Sequence, residues 1–249
     1  HLHLSLTDDT GNIFDPTRPD GETRLGHAVA GLQATMAEAM AIFAGSAAGP
    51  PPDSPANRVD PNLTTSPFAG VGSLRITFPM GVGSTTLASA TVISPFHVLT
   101  AAHPFDPNFT GGDESNGVDF RLNFGGNQTH ILTVNNVEIH PGWGSGFFNQ
   151  FLNDDVAVLT HSQAIPFGVP IYDLWSTPLT TGTTLTMVGY GAPGVGDVGI
   201  TGSADFAIKR SGQNNADTFI TDDETFGFNE VFRRDFDGGA ANNWMGGMS

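Results

Sequence analysis

The sequence predicts an all-β protein that carries a helical extension at its amino terminus. From about Ser66 onward, short runs of alternating or β-branched residues recur, and clusters of Gly, Pro or Asn separate them. The 249 residues include 32 Gly and 17 Pro, a composition that favours many strands joined by turns over a helical bundle. We therefore expect a β-barrel or a β-sandwich after the extension.

The amino-terminal extension covers residues 1–57. Apolar residues recur in it at helical spacing after the polar start at Asp20, which predicts one amphipathic helix. These apolar residues are Leu25, Val29, Leu32, Met36, Met40 and Phe43. Residues 45–55 are rich in Gly and Pro, cannot continue a helix, and predict a linker.

Seven short runs predict strands in the rest of the chain. They cover residues 71–78, 85–93, 118–124, 130–139, 156–160, 183–189 and 205–210. Each run is β-branched or alternates polar with apolar residues, as strands with one buried face do. The runs show no internal repeat of fixed period.

Charge and composition exclude several classes of function. Lys and Arg number 9 against 25 Asp and Glu, and the net charge of −16 argues against nucleic-acid partners and anionic membranes. No run of 18 apolar residues predicts a membrane span. The absence of cysteine excludes disulfides, thiolate nucleophiles and cysteine zinc sites. The composition and the first residue, His1, suggest a secreted or periplasmic bacterial protein whose export signal has been removed.

Two segments supply candidate catalytic residues. Leu99–His103 places an imidazole directly after a strand and a tight Ala-Ala turn, an arrangement that suits a general base. Asn153–Leu159 places Asp155 at the start of an apolar strand, and a carboxylate there can orient the ring of His103. Taken alone, each residue also fits a structural role, as a surface histidine after a strand and as a turn-forming aspartate.

The two segments resemble the catalytic-histidine and aspartate motifs of trypsin-like (chymotrypsin-fold) serine peptidases. Weaker matches at Ile139–Trp143 and Val188–Gly191 keep the family's order along the chain. The resemblance implies a chymotrypsin-like double six-stranded β-barrel, with His103 as general base and Asp155 as the acid that orients it. It also implies that the substrate is a protein or a peptide.

The same resemblance assigns lesser roles to two neighbouring residues. Asp154 is expected to be the exposed neighbour of Asp155. His140, in the loop that precedes the aspartate, is expected to be a structural or loop residue rather than a base.

The nucleophilic serine has no match. The family's Gly-Asp-Ser-Gly-Gly segment does not occur, and neither Ser211 nor Ser249 has the surroundings of a nucleophile. About three strands are predicted beyond Gly182, which leaves the second barrel incomplete in this chain. We expect the serine to come from sequence beyond residue 249 or from a companion carboxy-terminal chain of the same precursor. The alternative is a catalytically inactive relative that serves as a binding or structural module.

The predicted domain organisation follows from these matches. Residues 58–175 form the first β-barrel with His103 and Asp155, and residues 176–249 form the first part of the second. Residues 1–58 resemble a propeptide only in ending at an Arg-Val junction, and the sequence after that junction departs from the family's "IVGG".

No cofactor is expected. The acidic segments Asp8–Asn12 and Asp222–Glu224 offer oxygen atoms to calcium but have no defined loop motif. A free amino terminus at His1 could chelate copper or nickel together with His3, although an incidental terminus is the favoured interpretation.

Overall fold

The computed structural model of the chain describes most of residues 54–233. The described ranges are 54–78, 85–106, 115, 117–143, 154–175, 178–195, 199–221 and 229–233, together with the backbone of the short strands β1 (Thr7–Asp8), β2 (Gly11–Asn12) and β3 (Ile42–Phe43). The predicted amino-terminal helix lies outside these residues except at its end, where Phe43 lies in a strand and not in a helix. That strand is parallel to a strand of the carboxy-terminal part, so interstrand hydrogen bonds override the helical spacing there.

Six antiparallel strands close a barrel. They are β4 (Val71–Thr77), β5 (Thr85–Ser94), β6 (His97–Thr100), β7 (Gly117–Leu122), β8 (His130–Ile139) and β9 (Ala157–His161). Neighbouring strands follow the order β4-β5-β6-β9-β8-β7, and β7 pairs back onto β4. The closed barrel confirms the predicted all-β fold class and leaves no open edge among these six strands.

The barrel core consists of alternate residues from its strands. Side chains with no solvent exposure fill it, as the period of two predicts: Leu74, Ile76, Val92, Val98, Phe120, Leu122 and Leu159. None of the seven predicted runs covers β6, which begins directly after the turn at Pro95. This turn matters for the site, since β6 is the strand that leads to His103.

The chain after residue 182 contains more strands than the three that were expected. They are β10 (Thr184–Gly189), β11 (Pro193–Val195), β12 (Gly199–Ile200), β13 (Arg210–Asn215), β14 (Thr218–Thr221) and β15 (Asn229–Arg233). Within the described part of the chain, they form the pairs β10-β13 and β14-β15 and the sheet β12-β11-β3, not a second closed barrel.

The prediction of a strand over residues 205–210 is wrong. Asp205 instead begins a turn, in which its Oδ1 atom accepts a hydrogen bond from the Ala207 amide at 2.7 Å. Aspartate competes in this way with strand hydrogen bonds through its own side chain. The strand begins only at Arg210, which pairs with Gly189.

A buried ion pair joins the segment that precedes the barrel to the carboxy-terminal part. Lys209, the only lysine of the sequence, has no solvent exposure, and its Nζ atom lies 3.7 Å from Asp60 Oδ1. Lys209 also donates a hydrogen bond to the Phe68 carbonyl at 2.7 Å, while Asp60 accepts from Ser66 Oγ and the Asn62 amide. Burial lowers the pKa of Lys209, and the charge of Asp60 opposes that shift.

Tyr190 makes a second connection between the two parts. It is fully buried at the end of β10, where its hydroxyl donates to the Val71 carbonyl at 3.2 Å and its amide donates to Ser89 Oγ at 3.0 Å. Burial raises the pKa of the Tyr190 hydroxyl above its ordinary value, so the phenol stays protonated as a donor. In a chain without cysteine, these buried polar contacts hold the two parts together.

Replacing the buried lysine tests this connection. Lys209→Met should lower the free energy of unfolding by about 3–5 kcal/mol, because Asp60 then keeps a buried charge without its cationic partner. Urea unfolding followed by tryptophan fluorescence measures the change. The double variant Lys209→Met/Asp60→Asn should recover part of the loss, and Arg75→Met, on the partly exposed face of β4, is the matched control. An unchanged unfolding midpoint in Lys209→Met would contradict the assigned role.

A buried histidine lies at the end of β9. His161 is 1% exposed, its ring stacks on Phe120 at 6.4 Å between centroids, and its Nδ1 atom hydrogen-bonds to the Gln163 carbonyl. The Nε2 atom is buried without a hydrogen-bond partner. Burial lowers the pKa of His161, although the hydrogen bond to Gln163 opposes the shift. The folded protein therefore holds this ring neutral.

The stability of the barrel should consequently depend on pH through His161. Because its pKa is lower in the folded than in the unfolded state, the unfolded state binds more protons as the pH falls below about 6.5. The contribution of neutral His161 to the free energy of unfolding is thus complete above that pH and is lost as the pH falls. His161→Phe should reduce the loss of unfolding free energy between about pH 7 and pH 5, whereas His130→Gln should not. Equal slopes of the unfolding free energy against pH in wild type and His161→Phe would contradict this role of His161.

Candidate active site

His103 lies where the chain leaves β6. After Thr100, the buried residues Ala101 and Ala102 form the tight turn, and His103 begins a 3₁₀ turn that ends at Phe105. Ala102 has no solvent exposure, so a larger side chain would not fit at this bend. The turn places the imidazole at one end of the barrel, directly next to the start of β9.

Asp155 holds this turn and the ring together. Its Oδ1 atom accepts hydrogen bonds from the backbone amides of Ala102 at 2.7 Å and His103 at 2.8 Å. Its Oδ2 atom lies 2.8 Å from His103 Nδ1. Because an ionised carboxylate only accepts, Nδ1 carries the proton, and in the neutral ring Nε2 carries the lone pair. One carboxylate thus sets the position and the tautomer of the imidazole.

The pair is accessible from solvent. The side chain of His103 is 20% exposed and that of Asp155 is 26% exposed, so an approaching substrate can reach the ring. A histidine with this tautomer and a carboxylate behind it can accept a proton from a hydroxyl group and stabilise the resulting imidazolium. The structure brings both predicted residues together, and their catalytic role stays a prediction.

Asp154 is not the exposed neighbour that was expected. It is 2% exposed, and its Oδ1 atom lies 2.9 Å from Nδ1 of His140. The backbone of Asp154 has a φ of +58°, a left-handed conformation that aspartate tolerates better than most residues. Asp154 lies before β9 begins, and this left-handed turn aims its side chain inward. His140 is a loop residue, as predicted, but it contacts a buried carboxyl group.

Two contacts near the site had little signal in the sequence. Trp143 Nε1 donates a hydrogen bond to Asp106 Oδ2 at 2.9 Å, and so ties the loop after β8 to the turn after His103. Gly142 approaches Asp154 so closely that a Cβ atom on it would lie 2.1 Å from Asp154 Oδ2. Only the glycine itself could have indicated that a close approach was needed at this position.

The other sequence candidates fall in different places. Ser211 lies within β13, opposite Val188 of β10, and not on a turn that would present a nucleophile. Ser249, the acidic side chains considered for calcium, and the candidate chelators His1 and His3 lie outside the described residues. In the described part of the chain, no three His, Asp or Glu side chains are grouped to hold a metal ion, and no helix has the length and hydropathy to cross a membrane.

Comparison with known proteins identifies a family. The family model described as Trypsin matches residues 69–221, more than half of the 249 residues. A solved structure of "GrC" is 13% identical, with 65% of this chain and 64% of that chain covered and a TM-score of 0.47. One of "HL collagenase" is 16% identical, with 61% and 59% covered and a TM-score of 0.41. The chain thus spans less than two thirds of the length of either, and none of the curated proteins matches it.

The family match and the closed barrel together confirm the predicted chymotrypsin-like β-barrel fold. The matched range includes His103, His140 and Asp155. It begins just before β4 and ends with β14, so the predicted amino-terminal extension falls outside it.

Replacing the carboxylate by an amide should reverse the tautomer of the ring. In Asp155→Asn the new side-chain oxygen can still accept from the amides of Ala102 and His103, but its NH₂ group then faces Nδ1. The ring must accept there, so the proton moves to Nε2. ¹⁵N NMR of the histidine side chains measures which nitrogen is protonated. Asp119→Asn, on β7, is the matched control. A proton that stays on Nδ1 of His103 in Asp155→Asn would contradict the contact between Asp155 and that nitrogen.

Proposed function

The chain belongs to the trypsin family, and from this premise we propose that it is a serine endopeptidase that hydrolyses peptide bonds in proteins or peptides. The observation that carries the proposal is the contact of Asp155 with the amides of Ala102 and His103 and with His103 Nδ1. No organic cofactor or metal ion has a part in the chemistry that these residues offer.

The proposed mechanism uses His103 as a shuttle for one proton. Nε2 of His103 takes the proton from a serine hydroxyl as the oxygen attacks the scissile carbonyl, and the imidazolium then gives that proton to the leaving amine. Asp155 stabilises the imidazolium through Nδ1. Backbone amides beside the serine would hold the oxyanion, and water then releases the acyl group by the same two proton transfers.

The serine itself is proposed to lie in sequence beyond residue 249 or on a companion chain from the same precursor. The sequence contains no Gly-Asp-Ser-Gly-Gly segment, and Ser211 lies inside a strand pair. The strands after residue 182 leave unpaired edges among the described residues, which further strands of a second barrel would cover.

A catalytically inactive binding or structural module is the second candidate, favoured by the lack of that segment. Against it stands the complete set of hydrogen bonds between Asp155 and the turn of His103. A protein that only binds partners does not need the carboxylate to fix one tautomer of an accessible imidazole.

We also propose a secreted or periplasmic location, on the acidic, cysteine-free composition. Cleavage after Arg58 to remove a propeptide stays a prediction. Val59 forms a bridge to Arg210, and Asp60 is held by Lys209. Both contacts would have to break if a freed amine at Val59 were inserted elsewhere, which favours an extension that remains attached.

Labelling with a fluorophosphonate tests the proposed function. The fully processed protein from its native host should become labelled at a serine, and intact-mass spectrometry shows which polypeptide carries the label. His103→Ala should reduce the labelling rate by roughly 10³-fold or more, because the serine then lacks its general base. His130→Ala, on β8, is the matched control and should label at the wild-type rate.

Failure of the folded, processed protein to label would overturn the peptidase proposal and favour the binding module. Equal labelling in His103→Ala and wild type would show that a reactive serine is present but does not use this histidine.

A further inference from the structure

A second histidine–carboxylate contact lies one residue before Asp155. His140 Nδ1 is 2.9 Å from Asp154 Oδ1, and the side chain of Asp154 is only 3% exposed. Asp154 Oδ1 is buried without a hydrogen-bond partner, and the ring of His140 is the polar group at 2.9 Å from it. The contact brings the imidazole of His140 within ion-pair distance of a buried carboxyl group.

The backbone at Asp154 aims the two neighbouring carboxyl groups in different directions. Its φ of +58° makes a tight turn, closed by a hydrogen bond from the Val156 amide to the Asp154 carbonyl at 2.6 Å. Asp154 faces His140, whereas Asp155 faces His103. The His140 amide donates to the Val156 carbonyl at 2.8 Å, so the end of β8 is tied to the same turn.

Gly142 allows the loop to close over Asp154. The missing side chain leaves room for the carboxyl group, since a Cβ atom would lie 2.1 Å from Asp154 Oδ2. The Gly142 amide also donates to His140 Nδ1 at 3.2 Å. The ring is therefore held from two sides, by Asp154 and by the backbone of its own loop.

The same loop reaches the other side of the proposed catalytic pair. Trp143 donates from Nε1 to Asp106, whose amide donates in turn to the His103 carbonyl at 3.3 Å. The segment His140–Trp143 thus contacts the turn that precedes Asp155 and the turn that follows His103. It therefore contacts the chain at both ends of the functional pair.

We propose that His140 and Asp154 are positioning residues that hold Asp155 in its hydrogen-bonding geometry toward His103. This inference rests on the proposed function for its catalytic meaning, but its structural part does not need a nucleophile. The carboxyl group in contact with His140 is that of Asp154, from the turn before β9, and the neighbouring Asp155 contacts His103.

The competing explanation is that the contact only fills space in the loop after β8. In that case its removal would lower stability but leave the bond between His103 and Asp155 unchanged. The proton on His103 Nδ1 reports this directly, because a proton in a charge-assisted bond to a carboxylate resonates at low field and exchanges slowly with water.

Proton NMR of the fully processed protein at neutral pH is the experiment, with the His103 signal assigned by its loss in Asp155→Asn. Asp154→Ala should abolish the signal while the amide signals of β6 and β9 remain. Asp154→Asn should restore it, because asparagine tolerates the positive φ and its amide can donate to His140 Nδ1. Asp119→Ala is the matched control for a lost carboxylate.

His140→Ala is the second variant and leaves the turn residue in place, with His130→Ala as its matched control. It should also abolish the signal, and it decides the question if Asp154→Ala does not fold. The proposal is overturned if the signal persists in the alanine variants or if Asp154→Asn fails to restore it. These outcomes are independent of fluorophosphonate labelling, so a failed labelling experiment would leave the positioning role standing.

Discussion

The carboxylate of Asp155 is the constraint on which the site depends. It joins the end of β6 to the start of β9 through the amides of Ala102 and His103, and it fixes the ring of His103 as well. Neighbouring strands of a closed barrel bring these two chain segments together although 52 residues separate them in sequence. The barrel thus supplies the proximity, and a single side chain supplies the orientation.

The barrel alone does not hold the rest of the chain. The carboxy-terminal part is joined to it by buried polar contacts, among them the ion pair of Asp60 with Lys209. Buried pairs are costly to desolvate but very unfavourable to break, so they favour one arrangement over its alternatives. Here the pair, with the Tyr190 hydroxyl, performs a role that disulfides cannot take in a chain without cysteine.

The sequence predicted the parts that follow from local patterns. The strands of the first barrel alternate buried and exposed residues with a period of two, and the motif Leu99–His103 indicates the candidate catalytic histidine. Prediction from the sequence failed where tertiary contacts determine the local conformation or the burial of a side chain. Residues 205–210 carry strand-like residues but are turned by the side chain of Asp205, and the burial of Asp154 depends on its contacts with the loop after β8.

Two adjacent aspartates illustrate the limit of such predictions. Nothing in the composition of Asn153–Leu159 distinguishes which carboxyl group meets His103, and the family motif places Asp155 there only by alignment. The left-handed turn at Asp154 separates them, because it gives each carboxyl group its own histidine. A buried carboxyl group next to a functional one would ordinarily disturb it by like-charge repulsion. The contact with His140 and the room left by Gly142 turn the Asp154 carboxyl group away from His103, and this is the basis on which we propose that a loop without catalytic atoms governs the geometry of the site.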